Sequence, residues 1–420
     1  MIFSVPKRTL LVTGLVYIAI FLNFFLVGTI VPLLPRLAEH HGISSIEASL
    51  VLSIKSFTHM AVSPILAIMA SRWSPIDLFC FGQFAIGGAY FGCAFSSSFV
   101  GFLVSRIAQG MGIASVMVSG MSLLIEAVPK DQRGRYISFA YAALAHASLV
   151  APVLSAVMYD NLGQTWTFLI PGIVTLGSAS SALVFLNRFL RHKPTDSDPQ
   201  SPDSATKHLD RKFIIPIFKS IFCLSIAYLT YLGILSCGFA YGCVETSVPQ
   251  YMTDIGESVL TSNLLWSSGA LTFALFAPLI GWLIDKFGPS IFVISAMLSY
   301  VIIGPFVHLI TTASVGGIAG TIILLTFIQA TAEISIYPLA TLVVEAACAV
   351  LKTPPDSVHI VGFCLVEMFV QAGFAIGNLV GKLFYDWKGL YGVGIGISSV
   401  PGATILLITF IHFTVFKRRN

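Results

Sequence analysis

Three glutamates stand inside long apolar runs of the sequence, Glu245, Glu333 and Glu367, and Lys55 and Arg106 lie in equally apolar surroundings nearer its start. An ionised carboxylate at mid-membrane costs roughly 2.5–3.5 kcal/mol on insertion scales, so each glutamate is expected to face a wet cavity rather than lipid. Burial favours the protonated carboxyl and a neighbouring cation favours the ionised one. A group held between these states can trade a proton for a cation as access changes sides, which is the minimal chemistry of a proton/cation antiporter. Tyr241 and Tyr337 lie four residues from Glu245 and Glu333, on the same helical faces, and offer an aromatic surface to an ammonium group. The implied substrate is an organic cation. The bland alternative pairs Glu333 and Glu367 with Lys55 or Arg106 for structure alone, and the two roles are compatible. His59, one turn from Lys55, and His146 could relay protons, although a lone membrane histidine is more often a satisfied hydrogen-bonding residue.

Other chemistries find no support. The sequence has no phosphate-binding loop, metal-ligand cluster or nucleophile motif, so neither an enzyme nor an ATP-driven pump is expected, and no cofactor beyond a proton gradient as driving force. The seven cysteines show no C-x-x-C spacing.

The elements that must position these groups follow from composition. Of 420 residues 56% are hydrophobic and 10% charged, with mean hydropathy +0.89. Such a chain cannot fold as a water-soluble globule without apolar patches everywhere. Apolar runs long enough to cross a bilayer recur at 10–35, 47–70, 77–98, 100–126, 136–158, 166–190, 217–246, 262–284, 290–311, 315–346, 357–384 and 390–416. The first is too long for a signal-peptide core and is kept as the first span. The expected fold is an all-α membrane protein of twelve transmembrane helices.

Twelve spans put both termini on one side. With that side cytosolic, it collects Arg72, Lys130, Arg133, Arg135, Arg188, Lys219, Lys286 and the basic residues of both termini and the central linker, whereas the opposite side has only Arg36, Lys382 and Lys388. The positive-inside rule therefore places both termini in the cytosol. Residues 192–212, rich in Pro, Ser and Asp, read as a flexible cytosolic linker between an N-terminal half, 1–191, and a C-terminal half, 213–420. The stretch from Ala67 to Pro75 after the second span echoes that from Gly281 to Pro289 after the eighth, as expected of two parallel six-helix repeats.

GWLIDKFG, from Gly281 through Asp285 and Lys286 to Gly288, matches the short cytoplasmic loop signature of the major facilitator superfamily. Arg106-Ile-Ala-Gln109-Gly110-Met-Gly112 matches that family's intramembrane arginine motif. Both read as conformational elements, as do Glu126 and Glu345, which end the fourth and tenth spans at equivalent places of the repeat and are expected to pair with loop cations. Further segments resemble the vesicular monoamine and acetylcholine transporters and the drug:proton antiporters near them. These are Phe21-Leu-Asn23 with Val31-Pro32-Leu-Leu-Pro35, Lys55 in Ser53-Ile-Lys55-Ser56, Glu245 with Pro249, Glu333 with Pro338, and Glu367 before Gly373-Phe-Ala-Ile-Gly377. The resemblance implies the major facilitator fold and substrate or proton binding at Glu333, Glu367, Glu245, Lys55 and Asn23, to which the spacing adds Tyr337 and Tyr241. Where that family has an aspartate this chain has Asn23, which removes one negative charge. Ala151-Pro152 stands where the antiporters carry Gly-Pro.

The sequence thus points to proton-coupled antiport of an organic cation, an amine or drug, by alternating access of two halves. The alternative is a facilitator or symporter of a neutral or anionic metabolite held by Lys55 and Arg106. A non-cycling receptor or scaffold is a third reading, against which the ionisable cavity argues. The expected partners are a small cationic molecule and the lipid bilayer, not nucleic acid, with the monomer as functional unit. The short non-cytosolic loops and the absence of an Asn-x-Ser/Thr acceptor favour an acidic organelle, vacuole or vesicle, over the plasma membrane.

Overall fold

The computed structural model describes residues 7–69, 72–190, 211–256, 259–309, 315–351 and 359–412. Its long elements are α1 (Lys7–His41), α2 (Ser45–Met69), α3 (Pro75–Phe95), α4 (Phe99–Ala127), α5 (Arg133–Leu190), α6 (Arg211–Ile221), α7 (Ser225–Asp254), α8 (Val259–Phe287), α9 (Pro289–Ile303), α10 (Val315–Leu351) and α11 (His359–Ile411). No strand occurs among the described residues.

Among the described residues ten helices are long and apolar enough to cross a membrane. The two longest are each interrupted, α5 at Gly163 and α11 at Lys388 and Gly389, and the pieces on both sides of each break are long enough to cross singly. Counted so, the described helices provide the twelve crossings expected. Gly163 adopts φ 74°, a left-handed conformation that a side chain would strain. Large apolar side chains point outward, with Val153 and Leu275 each 66% exposed, as suits a surface solvated by lipid.

Local signals set the helix starts. Ser74 caps α3 through a reciprocal box in which its hydroxyl accepts from the Asp77 amide and Asp77 accepts from the Ser74 amide, with Pro75 as the first helical residue. Ser44 and Glu47 repeat the device ahead of α2, the Ser44 amide donating to Glu47 at 2.8 Å. The Ser44 hydroxyl, and then its amide, hold the Glu47 carboxyl below its usual range.

One boundary is corrected. The seventh span was expected from 217, but α6 ends at Ile221 and a turn closed by Cys223 N–H on Ser220 O (3.1 Å) and Leu224 N–H on Ile221 O (3.0 Å) precedes α7, which runs on to Asp254. The 11 residues of α6, charged at Arg211, Lys212 and Lys219, are too short to cross. Arg211 and Lys212, expected in the linker, open this helix; linker residues 192–210 lie outside the described residues, as do Lys352 and the C-terminal Lys417, Arg418 and Arg419.

Two compact units emerge from the packing: Met1–Ile215 with Pro354–Glu367, and Pro216–Thr353 with Met368–Asn420. In the first, α4 is the most enclosed helix, and it meets α3 where Gly82 and Gly112 lie against each other's carbonyls, a Cβ on either reaching the other's oxygen at 2.6–2.7 Å. In the second, α7 and α11 cross backbone to backbone: a Cβ on Gly373 or Gly377 would come 2.3 Å from the carbonyl of Leu235 or Phe239. Small residues permit this approach, which gives close van der Waals packing where lipid supplies no hydrophobic drive.

Candidate functional site

In the second unit, α10 sets Gln329, Glu333 and Tyr337 four residues apart on one face, all buried, with Glu333 9% exposed. Gln329 Nε2 donates to Glu333 Oε1 at 2.9 Å. Tyr300 of α9 donates its hydroxyl to Gln329 Oε1 at 3.0 Å. Tyr241 of α7 meets Thr326 Oγ1 of α10 at 3.5 Å. Its ring stands edge-on to Trp266 of α8, 6.4 Å between centroids, and to Phe374 of α11, 6.0 Å. Cys237, Tyr241 and Tyr300 all lie within electrostatic reach of Glu333. A carboxyl so placed has lost most of its water and accepts from a neutral amide, an arrangement that accommodates either protonation state. Glu245, one turn beyond Tyr241, is exposed.

The first unit gathers polar groups of the opposite character. Arg106 on α4 is 2% exposed; its Nε donates to Val51 O at 3.2 Å and its Nη2 to Leu52 O at 3.4 Å, both on α2. Its Nη1 donates to Gln109 Oε1. Gln109 Nε2 in turn donates to the backbone oxygen and to Oδ1 of Asn23 on α1, each at 3.3 Å. Asn23 is wholly buried, and its Nδ2 meets no acceptor among the described residues. Leaving a buried donor unmade costs about 1–3 kcal/mol. Gly110 lets α4 reach α2, since a Cβ there would lie 2.6 Å from Lys55 O. Lys55 is half-buried, its Nζ 5.9 Å from the centre of the Phe24 ring.

His59, four residues after Lys55, brings its Nε2 to 2.9 Å from Oε2 of Glu367, both side chains all but inaccessible. The pair is at ion-pair distance without the alignment of a hydrogen bond, and His59 Nδ1 meets no hydrogen-bond partner among the described residues. Glu367 therefore faces a histidine, where lysine or arginine were the partners considered. His146, on α5, accepts or donates at Nδ1 with the Tyr17 hydroxyl at 2.7 Å.

Of the conformational residues, Glu126 accepts from Ser122 at 3.3 Å, while Asp285 and Glu345 are half-buried and Gly281 is buried. Lys286 packs its ammonium over the Trp282 and Phe287 rings at 5.3 and 5.2 Å. Gly288 turns the chain into α9 with φ 85°, a value that favours glycine. Trp266, Phe374, Tyr300 and Gln329 were not singled out from the sequence. Only Gln329 left a signal there, four residues ahead of Glu333; the aromatics resemble any apolar helix residue. No group of three or more His, Cys, Asp or Glu among the described residues is placed to hold a metal ion.

Apolar crossings that bury ionisable side chains in their midst define a membrane carrier of small molecules. The profile of the Major Facilitator Superfamily matches residues 16–351, and the chain belongs to that family. It is 26% identical over 210 residues to an uncharacterized MFS-type transporter of Schizosaccharomyces pombe, covering 49% of this chain and 45% of the relative. It is 28% identical over 160 residues to the synaptic vesicular amine transporter of Rattus norvegicus, covering 37% and 30%. Quinolone resistance protein NorA of Staphylococcus aureus is 21% identical over 205 residues, covering 49% and 53%. The matches thus span about half or less of each relative's length.

Proposed function

We propose that this transporter is a proton-coupled antiporter of organic cations, working by alternating access, with Glu333 as the group that binds proton or substrate in turn. The observation that carries the reading is Glu333 itself: a nearly buried carboxyl that accepts from the Gln329 amide, which Tyr300 orients in turn, with Tyr241 in its electrostatic reach and Trp266 and Phe374 packed edge-on to that tyrosine. Aromatic faces and one carboxylate are the usual recognition elements for an ammonium group. Glu245, exposed one turn from Tyr241, is assigned the approach to this site, and Glu367 with His59 a second titratable pair. Relatives named as an amine transporter and a quinolone resistance protein point the same way. The termini are taken as cytosolic, and an acidic organelle is the compartment in which the proton gradient has the required direction.

The test is gradient-driven uptake of labelled amines and cationic drugs into proteoliposomes, for the intact chain and for Glu333→Gln. Uptake should collapse with the gradient and fall by about 100-fold in the variant, the scale of losing a proton-transfer group. Transport indifferent to the gradient, or an unimpaired variant, would refute the antiporter. A facilitator or symporter of a neutral or anionic metabolite is the second reading, and the donor-rich cluster of Lys55, Arg106 and Asn23 is the observation in its favour.

A further inference from the structure

The hydrogen bonds around Asn23 have only one consistent direction. An arginine guanidinium donates and never accepts, so Gln109 must turn Oε1 to Arg106. Its Nε2 is then the atom that faces α1, and it needs acceptors there. The Asn23 backbone oxygen is one; of the two ends of the Asn23 amide, only Oδ1 can be the other. Both orientations are thereby fixed by chemistry rather than by choice of atom names. The Nδ2 group, with two N–H donors, is left over from the relay, in a side chain that is wholly buried, with no acceptor to meet among the described residues. Native interiors rarely tolerate such an orphan without a reason.

We propose that the Asn23 amide donates to the transported molecule, so that the substrate is an organic cation which also carries a hydrogen-bond acceptor, a carbonyl, ether or carboxylate oxygen, apart from its ammonium group. The inference rests on the transport reading above, because a carrier opens its buried polar groups to substrate at one stage of its cycle. It also narrows that reading. A carboxylate at position 23 would present an oxygen to an ammonium; the amide, locked by Gln109, presents N–H and reverses the polarity of what it accepts.

The experiment uses the full chain in proteoliposomes under a proton gradient, with pairs of labelled amines that differ by one acceptor oxygen, such as phenethylamine against 4-methoxyphenethylamine, and uncharged compounds bearing the same oxygen. The intact chain should favour the acceptor-bearing member by about tenfold, the worth of one good hydrogen bond. Asn23→Ala should erase that preference, and Asn23→Asp should turn it toward the plain amine. Gln109→Glu is the decisive variant. It offers Arg106 a carboxylate and leaves Asn23 no donor to meet, so the amide turns over and the preference moves as in Asn23→Asp although residue 23 is unchanged. If Asn23→Ala does not fold, Gln109→Glu carries the test alone.

Cation uptake with the same preference in the intact chain and in Gln109→Glu overturns the donor role, assigns the orphan N–H to a trapped water, and leaves the cation reading standing. Uptake confined to uncharged acceptors and lost in Asn23→Ala upholds the donor and overturns the cation. A panel in which nothing moves overturns both.

Discussion

In the second unit a tyrosine hydroxyl donates to Gln329, whose amide donates to Glu333; in the first, Arg106 donates to Gln109, whose amide donates to Asn23. Each glutamine takes a donated hydrogen bond at one end and passes one on at the other, so the first group in the line fixes the orientation of the last. The difference lies in the end groups. One relay starts on a neutral hydroxyl and finishes on a carboxylate that accepts; the other starts on a permanent cation and finishes on an amide that has a donor to spare. A glutamine in such a line is thus an adaptable fitting, and the residue at its far end decides whether the relay finishes on an acceptor or on a donor.

The contrast extends to the backbone that carries the relays. In the second unit, α7 and the part of α11 from Met368 to its break touch through Gly238 and Gly242 on one side and Gly373, Gly377 and Gly381 on the other. The corresponding α1 and first piece of α5 meet with one glycine: Gly28, whose added Cβ would lie 2.8 Å from the Ala151 methyl. Ala151 occupies the place where the antiporter resemblance puts a glycine, and here the small residue stands on the opposite helix.

The largest expected effect breaks this contrast. Gly377→Leu drives a side chain into the Phe239 backbone, which cannot yield, and should cost about 3 kcal/mol or more, the upper range for overpacking. Gly28→Ala meets a methyl group and should cost about 1–2 kcal/mol. Thermal midpoints and monodispersity of the two purified variants check the order; equal losses would mean the helix pairs are equally tolerant.

Cutting the relays sharpens the comparison at the next scale. Gln109→Leu leaves Arg106 a buried charge without one of its acceptors, a kind of loss worth about 3–5 kcal/mol when complete and offset here by the Val51 and Leu52 carbonyls. Gln329→Leu strands a hydroxyl and removes one donor from Glu333, for about 1–3 kcal/mol. The first unit should therefore lose more stability, read as denaturation midpoint, while the second loses more of its gradient-driven uptake. Reversal of either order would show that the relays are not matched devices.

Much of this architecture was legible beforehand, because apolar length reports directly on lipid. The break at Gly163 falls between the expected fifth and sixth spans, and that at Gly389 between the eleventh and twelfth. The misplaced start of α7 has a simple cause: apolar residues flank Lys219 on both sides, and hydropathy does not register the turn at 222–224. Within the site, ionisable residues announced themselves, since charge in an apolar run is expensive. Their partners did not. Glutamine, tyrosine and tryptophan carry no such penalty, so Gln329, Tyr300 and Trp266 came from the fold, as did the pairing of His59 with Glu367. The direction of the Asn23 amide is likewise invisible until Arg106 and Gln109 are seen in line with it.

The smallest effect concerns the rim of the same two helix pairs. In the first unit the end of α1 is tied to α5 by Arg36 and Asp160, an exposed ion pair at 3.0 Å. In the second, the end of α7 is tied to α11 by the Tyr385 hydroxyl, which donates to Asp254 at 2.6 Å, with Gln250 donating to the other oxygen at 2.9 Å. Those two donors, Tyr385 first, hold the Asp254 carboxyl below its usual range. A carboxyl lowered on folding adds stability that is fully present above its unfolded value, about 3.9, and is lost as pH falls through the lower folded value. Thermal midpoints of intact chain and Asp254→Asn should therefore differ most above about pH 4 and converge in stronger acid. For Arg36→Ala the change at neutral pH should be within the range of about 0–1 kcal/mol typical of exposed pairs, and should shrink with added salt. An Asp254→Asn difference that stays constant from pH 6 to 2.5 would show that the Tyr385 tie acts through shape alone and that the two rims do not differ in their response to acid.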